Sequence, residues 1–168
     1  SQADGTAEAP SPAEGTPAVE LDDVSFAYPG ASGDSLSHVS LKVMPGATLG
    51  VIGGTGAGKS TLAALLMRFY DATGGTVRVN GADVRAVTRQ SLRRQVGIVE
   101  QNPQLFGGTI ASNLRWGAQG AGDDDLMAAV GTAQAADVVA SKDEGLGSRV
   151  EQFGRNYSGG QRQRLAIA

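Results

Sequence analysis

The 168-residue sequence contains no cysteine. That excludes disulfides and thiolate metal sites, and it fits a reducing compartment. A single histidine, His38, excludes a histidine metal cluster. It precedes the alternation Val39, Leu41, Val43, where a surface or packing role is expected. No run of eighteen apolar residues occurs, so these residues encode no membrane-spanning helix. The polar, acidic start does not read as a signal peptide. A basic excess is lacking too. The first twenty residues hold Asp4, Glu8, Glu14 and Glu20 and no Lys or Arg. The remaining 148 hold 14 basic and 13 acidic groups. Nucleic-acid binding therefore has no electrostatic support, and Arg93-Arg94 and Arg162/Arg164 read as solvated helix faces. There is no internal repeat.

What is present is enough apolar content, 40%, for one globular core. There is also glycine, concentrated where it has chemical meaning. GGTGAGKST runs from Gly53 through Gly54, Thr55, Gly56, Ala57, Gly58, Lys59 and Ser60 to Thr61. It matches the phosphate-loop pattern in full. Thr48 to Ile52 reads as a short buried strand before it, and Leu62, Leu65, Leu66 and Phe69 recur at helical spacing after it. Glycines let backbone N–H groups turn inward around phosphate oxygens. The helix N-terminus adds its dipole to the same anion site. Lys59 is expected to reach the β and γ phosphates and Ser60 to ligate Mg²⁺.

Ninety-nine residues after Lys59, Ser158-Gly159-Gly160-Gln161 precedes RQRLAIA. Serine is a good helix N-cap, and the two glycines leave backbone N–H groups open. Alone, this is a capped turn. With a phosphate loop upstream and Gln-Arg-Gln-Arg downstream, it reads as a second anion site.

Together these strings resemble the nucleotide-binding domain of an ABC transporter of the exporter type, over about residues 19–168. The resemblance implies that Ser158, Gly159, Gly160 and Gln161 are the signature motif. That motif caps the γ-phosphate of an ATP held by a second such domain, in a head-to-tail dimer. It implies that Tyr28, in SFAYPG, stacks on adenine; a Tyr before Pro-Gly otherwise reads as a strand end. It implies that Gln101, in VEQNP, is the Q-loop glutamine that contacts Mg²⁺ and the attacking water. The stretches 105–117 and 80–96 also resemble exporter segments. Val150-Glu151-Gln152-Phe153-Gly154 departs from the usual string before the signature. With Asn113 to Gly117, it resembles halves of heterodimeric multidrug exporters.

The expected fold is α/β. A phosphate-loop core carries an antiparallel β-subdomain (about 18–50 plus 75–80) and a helical subdomain (about 107–168). Residues 1–17, small, polar and Pro-rich, are expected to be a disordered linker, tethering the ATPase domain of 18–168 to a membrane part fused ahead of residue 1. Strands are expected to start at Val19 and Val24 and to cover 39–43, 76–79 and 96–99. Helices are expected at 88–94, from Thr109 to Trp116, and from Asp123. The Asp123-Asp124-Asp125 triplet reads as a favourable helix start and not as a metal site. The family's Walker B strand, D-loop and H-loop are expected beyond Ala168. Without that strand, an apolar sheet edge and no turnover by these residues alone are expected. The implied function is the ATP-driven engine of an exporter at the cytoplasmic face of the cell membrane. A non-transport ABC ATPase and a nucleotide-binding module without turnover are the alternatives.

Overall fold

Strand β1 (Val19–Phe26) does not alternate strictly, yet Leu21, Val24 and Phe26 are all buried. A bulge resolves the phase. The pairing register shifts between Leu21 and Val24, and Asp23 takes a φ of 52°. One extra residue returns the apolar set to the core face. Across the bulge, Gly75 has a φ of 74°, and a Cβ there would lie 2.3 Å from the Asp23 carbonyl oxygen. Only glycine fits that approach.

The computed structural model describes residues 3–168. They form two compact units, the first extending to Ile98 and the second covering Val99–Ala168. In the first, β1 pairs with β2 (Leu36–Val43) and with β3 (Gly74–Val79), which pairs with β4 (Ala82–Asp83). The order is β2-β1-β3-β4, antiparallel throughout. This is the expected β-subdomain. Asn80 and Gly81, both at positive φ (49° and 83°), make the tight turn from β3 to β4. Helices α1 (Lys59–Leu66) and α2 (Arg89–Gln95) add Leu65 and Leu92 to the core of Leu21, Val24, Phe26, Val77 and Val79. Thr88 caps α2 by accepting from the Ser91 N–H at 3.2 Å.

Two expected strands do not form. Residues 48–52 and 96–99 have no strand partner among the described residues. Leu49 and Val51 are half-exposed and Ile52 is 99% exposed. An extended apolar segment becomes a strand only beside a hydrogen-bonding neighbour, and no described strand lies along either one. The expected sheet edge is not formed, because 49–52 belong to no sheet among the described residues; their apolar side chains are exposed singly.

The segment expected to be a linker has defined partners. The Thr6 and Ala7 N–H groups donate to the Ala86 carbonyl, and Thr88 donates back to Ala7. A Cβ on Gly5 would lie 2.3 Å from the Val87 oxygen. Arg68, only 3% exposed, donates to the Ala3 carbonyl at 2.7 Å, to Val87 O at 3.2 Å and to Asp71 at 3.0 Å. Composition does not report this docking, because main-chain bonds and one buried guanidinium make it. Arg68→Met keeps the stem and removes the donors, taking a partner from the buried Val87 carbonyl and the ion pair from Asp71. It is expected to destabilise the protein by about 2–4 kcal/mol in urea unfolding. A loss below about 0.5 kcal/mol would mean that the docking carries no stability.

In the second unit, Thr109 caps α3 (Ile110–Leu114), accepting from Ser112 N at 3.0 Å while Ser112 Oγ accepts from Thr109 N at 2.9 Å. Asn113 clamps Phe106, accepting its N–H at 2.7 Å and donating to its carbonyl at 2.9 Å. Helix α4 (Asp123–Thr132) begins on the Asp triplet. Asp125 accepts from the Gly122 N–H at 3.0 Å, and Asp123 pairs with Arg115. The triplet is thus a helix start. Helix α5 (Ala136–Ala140) and the pair β5 (Gly108–Thr109) and β6 (Arg149–Val150) enclose a core of Ile110, Val130, Val138, Val150 and Tyr157. Helix α6 (Gly159–Ile167) closes it with Leu165.

Candidate functional site

The first unit holds the phosphate loop. Gly56 and Gly58 have φ of 83° and 82°, a backbone that side-chain-bearing residues rarely adopt. A Cβ on Gly58 would lie 2.6 Å from the Ser35 oxygen, and one on Gly53 would lie 2.8 Å from Ala57 Cβ. The Lys59 ammonium folds back over the loop, donating to the Gly53 carbonyl at 2.6 Å and to the Gly54 carbonyl at 2.8 Å. Lys59 opens α1, whose N-cap, Gly58, offers no side-chain acceptor, and the first turn carries no acidic residue. Unpaired helix N–H groups, a cation and the absence of competing carboxylates suit a polyphosphate. Gly53 to Ala57 and Ser60 are exposed, while Thr61 is buried.

Tyr28 is half-buried and stands beside this helix. Its hydroxyl lies 3.2 Å from Thr61 Oγ1. Its ring packs edge-on against Phe26 (4.9 Å between centroids) and Tyr70 (5.2 Å). The unit therefore brings Tyr28 together with the loop's own helix. Sequence reading missed Tyr70. Its only signal was a second aromatic directly after Phe69, at the end of the apolar stripe.

In the second unit, Ser158 has an extended backbone (φ −65°, ψ 162°) and caps α6. Its Oγ accepts from the Gln161 N–H at 3.2 Å, and Gln161 Oε1 accepts from the Ser158 N–H at 2.9 Å. This reciprocal box fixes the helix start. Gly159 and Gly160 are exposed, and a Cβ on Gly160 would meet nothing within 4 Å. No acidic residue lies in the first turn. Tyr157 is buried; burial pushes its phenol pKa up, and the neutral hydroxyl donates to the Arg149 carbonyl at 3.3 Å. Arg164 holds α6 to α5 through Asp137, whose carboxyl it keeps below its ordinary pKa by hydrogen bonding. Asn156, also missed from sequence, pins the approach. Its amide accepts from Glu151 N at 3.0 Å and donates to the Arg149 carbonyl at 2.8 Å. Gln101 is exposed, in a bend of this unit.

Comparison with known proteins follows the same lines. Residues 36–168 match the family model described as ABC transporter. The chain is 45% identical to rat ATP-binding cassette sub-family B member 6 over 151 residues, which are 89% of this chain and 18% of that protein. It is 43% identical over 151 residues to the beta-(1→2)glucan export ATP-binding/permease protein NdvA of Rhizobium johnstonii, covering 90% of this chain and 26% of that one. A solved bacterial Atm1-family ABC exporter with ATP bound superposes with a TM-score of 0.88 at 37% identity, covering 99% of this chain and 29% of its own. The chain thus spans about a fifth to a quarter of the curated relatives it matches.

Proposed function

The chain belongs to the ABC transporter family, and on that premise we propose that it is the ATP-binding and ATP-hydrolysing engine of an exporter. The phosphate loop carries the reading: positive-φ glycines, an inward Lys59 and an uncapped α1 at one place. In this reading Gly53 to Thr61 cradle the phosphates of ATP. Lys59 exchanges its carbonyl partners for the β and γ oxygens. Ser60 and Gln101 ligate Mg²⁺, which neutralises charge on the transferring phosphoryl group when bound. Tyr28 takes the adenine. Ser158 to Gln161 present the N-terminus of α6 to the γ-phosphate held by a second, head-to-tail domain, and each chain completes the other's site. Gln101 orients the attacking water, and positioning with charge neutralisation supplies most of the rate.

The second partner is the transmembrane part of the exporter, which places the engine at the cytoplasmic face of the membrane. Phe106 and Trp116 stack 4.5 Å apart with Trp116 67% exposed, an apolar surface of the kind a protein partner covers. No helix among the described residues is long and apolar enough to cross a membrane.

The test is phosphate release by the full-length transporter that carries residues 1–168, with Mg²⁺ and with the metal chelated. Turnover that requires Mg²⁺ is expected. ATP binding with no turnover in either condition would leave a nucleotide-holding module and sink the engine reading.

A further inference from the structure

We infer that Tyr70 is a positioning residue for Tyr28, so that it tunes binding of the purine base and leaves binding of the phosphates alone. The inference rests on the proposed reading of Tyr28 as the base-stacking residue. Phe26, Tyr28 and Tyr70 contact one another, at centroid distances of 4.9, 5.2 and 5.5 Å. Phe26 is 3% exposed and fixed in the core. Tyr70 is 38% exposed and forms the solvent side of the group. The rings of Phe26 and Tyr70 meet Tyr28 at 82° and 85°, so two aromatic neighbours pack against the Tyr28 ring. The contact between its hydroxyl and Thr61 Oγ1, at 3.2 Å, sets how far the ring reaches. A ring held this way stacks on a base without first losing rotamer freedom.

The backbone is shaped for the contact. Arg68 takes a φ of 51° two residues after the end of α1, and the Phe69 N–H returns to the Ala64 carbonyl at 2.8 Å. This kink leaves Phe69 half-exposed and brings Tyr70 against Tyr28. The Tyr70 ring meets both Phe26 and Tyr28, and these ring contacts are what position Tyr28.

The experiment measures the affinity of the intact protein for MgATP and for Mg-tripolyphosphate, which has the phosphates and no base. Tyr70→Leu is expected to weaken ATP about 2- to 10-fold, the span of an aromatic pair contact, and to leave tripolyphosphate unchanged. Tyr70→Phe keeps the ring and is expected to match the parent for both. Equal weakening of both ligands by Tyr70→Leu, or no weakening of ATP, overturns the inference. Tyr28→Ala separates it from the reading beneath. If Tyr28→Ala weakens ATP alone while Tyr70→Leu does nothing, only the positioning role falls. If Tyr28→Ala leaves both affinities unchanged, the base reading falls and takes the inference with it.

Discussion

Lys59→Ala is expected to lower the affinity for MgATP by about 10- to 100-fold, the worth of charge-assisted bonds from one ammonium to phosphate oxygens. The ammonium already sits at the loop, held by the Gly53 and Gly54 carbonyls at 2.6 and 2.8 Å. Those bonds are lost in the variant as well, so its free loop is looser and the measured loss includes reordering. The fold is not at risk, because Lys59 is exposed and outside the core. Calorimetry with ATP on the intact protein reads the effect. An unchanged affinity would remove the phosphate-loop assignment, since no other cation is placed on that loop by sequence.

Ser158→Arg is expected to abolish ATP-driven pairing of two chains while leaving ATP binding to the single chain unchanged. The reason is the proposed head-to-tail arrangement, in which Ser158, the cap of α6, meets the ATP of the partner chain and not its own. A long cation at the cap fills the space that Gly159 and Gly160 leave open. The substitution also loses the cap, which costs about 1 kcal/mol. Ser158→Ala carries that stability cost without the bulk and serves as the control. Sedimentation with and without ATP separates the two. If Ser158→Arg weakened binding of ATP to the single chain, the proposed head-to-tail arrangement would be wrong.

Local features were legible in the chain without any contact between distant residues. Gly53 to Thr61 matches a pattern whose glycines, lysine and hydroxyl each have one chemical part, and such a pattern needs no distant contact to be legible. The cap at Ser158 and the helix start at Thr109 were equally legible, because a cap bonds within four residues of itself. The second strand of the sheet followed from the alternation Val39, Leu41, Val43. Tertiary structure decided what depends on a neighbour far along the chain. Residues 48–52 and 96–99 read as strands, but a strand is a property of a pair, and neither finds a partner among the described residues. Residues 1–17 read as a disordered linker, yet Arg68 and the Ala86 carbonyl, more than sixty residues away, bond Ala3, Thr6 and Ala7 within it. Tyr70 carried no motif at all; only the kink at Arg68 brings it to Tyr28. Spacing encodes contacts made within a turn of helix or a hairpin, whereas contacts closed by the folded backbone depend on bulges and positive-φ residues that no short pattern announces.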